Sequence, residues 1–140
     1  DYRKTDLAAD EVIASVRIPK LADNQVFRTY KISKRYDQDI SAVIGAFRLT
    51  LDDGVVTDAR IAFGGMAATP KRAPRCEAAL IGKPWNTETA RAAGAMVGKD
   101  YAPIDDHRAS ADYRVRVAAN LFVRLFRDLS GANAIEVVTL

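Results

Sequence analysis

Apolar and polar residues alternate along the first half of the chain and recur at helical spacing along the second. Across residues 11–18, Val12, Ala14, Val16 and Ile18 share one face while Ile13, Ser15 and Arg17 share the other. This pattern predicts a half-buried strand stopped by Pro19. A second strand is predicted over 26–32, and Val43, Gly45, Phe47, Leu49 and Leu51 repeat at period two in a third. Asp52, Asp53 and Gly54 then carry the chemistry of a tight hairpin, with return through Val55, Thr57, Ala59, Ile61 and Phe63. Gly64 and Gly65 end the run, because paired glycines weaken a ladder and admit backbone angles closed to other residues.

Past Pro70 the period becomes helical. A short helix is predicted over 71–80, with Thr69 as N-cap, Pro70 in its first turn and Gly82 beyond its end. Asn86 or Thr87 caps a second, alanine-rich helix running to about Lys99. Ser110 caps the third and longest, in which Tyr113, Val117, Leu121, Leu125 and Phe126 form an apolar stripe before Gly131. Strands first and helices after predict an α+β fold: an antiparallel sheet of three to four strands with three helices packed on one face. The tail 132–140 reads as a short edge strand or a frayed end. A length of 140 residues fits a single domain, 1–140, and a start at Asp1 without Met suggests a processed chain or, more strongly, an excised piece of something longer.

Composition narrows the chemistry. Cys76 is the only cysteine and His107 the only histidine, so a disulfide framework, a zinc cluster and a Cys/His catalytic pair find no support. A single cysteine fits a reducing, cytoplasmic setting. Basic residues number 21 against 18 acidic ones and are interleaved with them, which argues against nucleic acid as a partner. No apolar run approaches the roughly 20 residues that span a bilayer, so no membrane role is expected. The glycines lack the spacing of a phosphate-binding loop or dinucleotide fingerprint. Asp105 and Asp106 precede His107 but fall in a connection between helices, and no serine has a neighbouring histidine to act as base.

Charge is densest in the segment YKISKRYDQDISA, residues 30–42, where Lys31, Lys34, Arg35, Asp37 and Asp39 stand beside Tyr30 and Tyr36. Such a group can hold an anion and gate it, and a solvated charged loop accounts for the composition equally well. Ile13 is the one large apolar residue on the polar face of its segment, so a ring or a neighbouring domain would be expected to cover it. Lys31 ends a largely apolar strand, from which its ammonium can extend as a compact point charge.

The segments YRKT (2–5), DEVIASVRIP (10–19), YKISKRYDQDISAV (30–43), FGGMAATPKRA (63–73) and PIDDHRASADYR (103–114) carry a resemblance over nearly the whole chain. Together they resemble the C-terminal domain of the FAD-binding subunit of molybdenum hydroxylases, a superfamily that includes the carbon monoxide dehydrogenase flavoproteins. The KISKRYDQDI stretch is most similar to the small subunit of bacterial xanthine dehydrogenase. The resemblance implies an oxidoreductase that oxidises hypoxanthine and xanthine to urate and passes electrons through FAD to NAD; the alternatives are the flavoprotein domain of a related aldehyde, carbon monoxide or N-heterocycle hydroxylase, or a mainly structural module between subunits. It implies Ile13 and Lys31 as FAD contacts, and Lys34, Arg35, Asp37 and Asp39 as a loop controlling access of NAD, with the gating carboxylate open between Asp37 and Asp39. Implied partners are the upstream FAD-binding and iron–sulfur domains and a molybdopterin-binding large subunit. The FAD is shared with the missing upstream domain, while the [2Fe–2S] clusters and molybdopterin are not bound by this chain, for which no catalytic or metal-ligating residue is implied.

Magnitudes limit what the chain does alone. Half-burying Ile13 contributes about 1 kcal/mol and a charge-assisted hydrogen bond from Lys31 about 1.5–3, against the roughly 8 that micromolar affinity requires. The isolated domain is therefore expected to be inactive and not to retain FAD.

Overall fold

Asp53 and Gly54 both take positive φ, 45° and 76°, the combination of a type I′ turn whose twist suits a two-residue hairpin. The computed structural model describes residues 3–131, so the tail 132–140 and Tyr2 lie outside it. The turn joins β2 (Val43–Asp52) to β3 (Val55–Gly64). On either side lie β1 (Gln25–Ile32) and the two-residue β4 (Lys71–Arg72), giving an antiparallel sheet in the order β1-β2-β3-β4. Helices α1 (Pro74–Leu80), α2 (Thr87–Gly94), α3 (Val97–Asp100) and α4 (Ala111–Leu129) follow. The α+β arrangement expected from the order of the two periods is the one observed.

The core lies between the helices and one sheet face. Val43, Phe47, Leu49, Ile61 and Phe63 point into it from β2 and β3, and Ala118, Leu121, Phe122 and Leu125 meet them from α4. Phe47, Phe63 and Phe122 form a triangle of rings with centroids 5.2–6.2 Å apart, to which Tyr30 and Tyr101 add edge contacts. Two glycines make this packing possible. A Cβ on Gly45 would stand 2.8 Å from the Phe47 ring, and one on Gly94 would stand 2.7 Å from the Ala119 carbonyl of α4. At the hairpin end, the Trp85 amide donates to the Gly54 carbonyl (2.7 Å) while its ring packs on Phe126.

Five expectations need correction. Residues 11–18 form no strand: the segment makes no ladder with the described residues, and Val12, Ile13, Val16 and Ile18 are 74–84% exposed. Alternation describes one side of a ladder, and the backbone groups still need a second strand to pair with. In β3 the bulge at Thr50/Leu51 brings Val56 into the core and leaves Thr57 in solvent, reversing the faces expected near the turn.

The helix expected over 71–80 begins at Pro74, because Lys71 and Arg72 pair with Phe63 and Ala62 of β3. Its first amides are satisfied by Asp100, whose carboxylate accepts from Arg75 and Cys76 at 3.0–3.1 Å. The helix capped by Asn86 does not continue to Lys99; it stops at Gly94 and restarts as α3, in a stretch where Gly94 and Gly98 disfavour continuous helix. On α4 the expected Leu121 and Leu125 are buried and Val117 and Phe126 pack partly buried against the core, but Tyr113 is exposed and the buried stripe is completed by Arg114, Ala118 and Phe122.

Candidate functional site

Pleating sends successive residues of β1 to opposite faces, and this divides the 30–42 segment at its start. Tyr30 is turned inward: it is buried, its hydroxyl donates to Asp128 at 2.6 Å, and Arg124 lies over its ring at 4.7 Å. Burial and the Asp128 carboxylate both push its phenol well above the usual range. Tyr30 thus belongs to the packing between β1 and α4 and does not join an anion site. Lys31 is turned outward, onto the sheet face without helices, opposite Ile44, which is in turn opposite Gly64.

That outer face exposes two large apolar side chains among polar ones. Phe27 is 46% and Ile44 40% exposed, with the small residues Ala46 and Ala62 between strands and Gly64 at the end of the Lys31 row. Arg48 and Asp58 close its hairpin end with an ion pair. The result is an uncovered face in which Lys31 stands at one end and Thr29, Arg48, Arg60 and Arg72 share the rows of the apolar and small residues. Ile13 also faces solvent, in the extended segment ahead of β1. Ile44 and Phe27 were not singled out in the sequence, although apolar residues at the outward positions of a two-faced strand pattern are the signal that finds them.

Between β1 and β2 the loop is held by its own polar groups. Ser33 donates to the Arg35 carbonyl (2.7 Å), the Arg35 amide donates to Asp39 (2.9 Å), and the Arg35 guanidinium reaches the same carboxylate at 3.8 Å and the Gln38 carbonyl at 3.2 Å. The amide bond from Arg35 is the main cause holding the Asp39 carboxyl below the ordinary range. Asp37 accepts from the Gln38 amide, and Tyr36 is 91% exposed. Lys34 leaves the loop, its Nζ donating to the His107 carbonyl at 2.7 Å.

Arg114 fixes the base of this loop. At 3% exposure it donates to the Ala42 and Gly65 carbonyls and to Asp106, joining α4, the start of β2 and the turn after β3. Amides of Arg108 and Ala109 and then the Arg114 guanidinium pull the Asp106 carboxyl down to about 2. Asp105 accepts from the Ala111 amide at the start of α4, and Ser110 caps that helix. The acidic pair is thus structural. Cys76 is buried and its thiol is pushed up by burial, so it is a core residue. The signal for Arg114 was present in the sequence: it is a charge in line with Ala118, Leu121 and Leu125.

Residues 28–129 match the model of the CO dehydrogenase flavoprotein C-terminal domain. The chain belongs to this family. Xanthine dehydrogenase of Emericella nidulans is 36% identical over 133 residues, 91% of this chain and 10% of that protein. The xanthine dehydrogenase FAD-binding subunit of Escherichia coli O157:H7 is 28% identical over 130 residues, 92% of this chain and 44% of the subunit. Among solved structures, carbon monoxide dehydrogenase from Hydrogenophaga pseudoflava superposes with a TM-score of 0.74 at 27% identity, covering 84% of this chain and 40% of the other. This flavoprotein C-terminal domain therefore spans less than half of each of these relatives. The match to the Escherichia coli subunit necessarily takes in part of the segment ahead of residue 28, which the family model does not cover.

Proposed function

We propose that the chain is the flavin-contacting C-terminal domain of an NAD-linked xanthine dehydrogenase, part of an enzyme oxidising hypoxanthine and xanthine to urate. The observation that carries this reading is the uncovered outer sheet face, where Phe27 and Ile44 stand exposed near small residues with Lys31 at one end and Arg48 and Arg60 alongside, in a domain of a flavoprotein family. Its chemistry fits a flavin: Phe27, Ile44, Ala46 and Ala62 suit a planar aromatic group, and Lys31 suits an electronegative ring or phosphate oxygen. Bound FAD would supply the transfer of electrons to NAD.

In this proposal Lys31 binds and orients, and the uncovered segment bearing Ile13 packs against the FAD-binding unit of the longer subunit. The access loop divides its work. Asp39 is committed to Arg35 and shapes the loop, whereas Asp37, bonded only to the adjacent amide, is the carboxylate available to meet an incoming nicotinamide. Iron–sulfur and molybdopterin groups belong to other parts of the enzyme.

Lys31→Met in the assembled enzyme tests the reading. Loss of the cation should weaken FAD binding and lower the flavin potential, by about 60 mV per 1.4 kcal/mol for a one-electron step. Unchanged affinity together with unchanged potentials would remove Lys31 from the site. The superposition on carbon monoxide dehydrogenase favours a second reading, the same role in a hydroxylase of another substrate. Urate formation by the complete enzyme separates the two.

A further inference from the structure

Among the described residues Arg114 is the one buried cation, and its guanidinium is shared among three segments. One terminal nitrogen, Nη1, donates to the carbonyls of Ala42 (2.5 Å) and Gly65 (2.7 Å), and the other, Nη2, donates to Asp106 (2.5 Å). We propose that Arg114 is a positioning residue for the reaction with NAD, setting where the 33–42 loop stands against the Lys31 edge of the sheet. The inference rests on the reading of residues 34–39 as the loop that admits the nicotinamide.

The guanidinium holds the loop by both ends. At the far end, the Ala42 amide donates to the Ile32 carbonyl at 2.8 Å and closes the loop, while the Ala42 carbonyl accepts from Nη1. At the near end the route is indirect: Nη2 holds Asp106, whose carboxylate also accepts from the Arg108 and Ala109 amides, and the Lys34 ammonium donates to the His107 carbonyl between them. The sheet supplies the fixed reference. Nη1 also holds Gly65, the residue after Gly64, which shares a row with Ile44 and Lys31. Gly65 has a φ of 78°, and a Cβ there would collide with the Ala42 carbonyl oxygen, so this contact closes only with glycine. A planar fork with donors in fixed directions serves these acceptors together, which the compact ammonium of a lysine does not. Position matters at this scale, because a shift of about 1 Å in a binding group can cost about 100-fold.

Arg114→Lys in the assembled enzyme tests the assignment, since it keeps a positive charge beside Asp106 and removes the fork. The bonds from Arg35 to Asp39 within the loop are untouched, so the loop is displaced as a unit without being loosened. KM for NAD should rise about tenfold, while kcat at saturating NAD and turnover with an artificial acceptor should change less than about twofold. A purely structural Arg114 would lower the unfolding temperature and leave KM for NAD where it is. Gly65→Ala forces the same contact apart without altering any charge, and should raise KM for NAD in the same direction; it decides the matter if Arg114→Lys does not fold. An unchanged KM for NAD in either folded variant, with Asp37→Asn still changing turnover with NAD, overturns the positioning role and leaves the access loop standing. Equal losses with NAD and the artificial acceptor overturn it too. If Asp37→Asn is silent as well, the access-loop reading falls and this inference falls with it.

Discussion

The two faces of the sheet are built from the same three long strands and end in opposite conditions. On the inner face, Phe47, Phe63 and Phe122 are sealed and every neighbour is supplied by the chain itself. On the outer face and in the segment ahead of β1, large apolar side chains remain open to solvent. The inner face explains why the domain folds. The outer one shows which of its surfaces has the composition of an interface.

The contrast breaks most visibly at the core. Phe122→Ala should cost about 3–5 kcal/mol by removing a ring from the centre of the cluster, whereas Ile13→Ser should change stability by no more than about 0.5 kcal/mol. Urea unfolding of the two variants measures both, and a large loss for Ile13→Ser would mean that the leading segment packs on this domain.

A smaller effect is expected where the inner layer meets the loop. The Asp106 carboxyl is lowered in the folded chain from 3.8 to about 2. Its contribution to stability is therefore complete above about pH 4 and lost as the pH falls toward 2. Asp106→Asn should flatten the acid limb of a stability–pH curve in that window. Arg114→Leu should cost about 1.5–3 kcal/mol at neutral pH, because the Ala42 and Gly65 carbonyls lose a charged donor.

Smallest in stability, and sharpest for function, is the pair of loop carboxylates. In the assembled enzyme, Asp37→Asn should change turnover with NAD more than turnover with an artificial acceptor, while Asp39→Asn should affect both by loosening the loop. Equal selectivity in the two variants would erase the division of roles drawn from their hydrogen bonds.

The inner face was legible because it repeats: period two marked β2 and β3 down to the Asp53-Gly54 turn, and Ser110 marked the start of α4. What escaped were places where distant residues override local pattern. Lys71 and Arg72 join the sheet because β3 offers them an edge, and α1 is capped by Asp100 from another helix. The alternation at 11–18 was read correctly as a pattern and wrongly as a paired element, since pairing depends on a second strand. In the candidate site, the outward direction of Lys31 follows from its neighbour Tyr30 facing the core. The bond from Lys34 to the His107 carbonyl does not, because only the folded chain brings the segment ahead of α4 to the loop.

Trp85, the single tryptophan, touches both the hairpin turn through the Gly54 carbonyl and α4 through Phe126. Its intrinsic fluorescence therefore reports the docking of helix onto sheet at the end of β2 away from the loop between β1 and β2. Emission that stays constant when that loop is altered would show that the far end is undisturbed, with no label introduced.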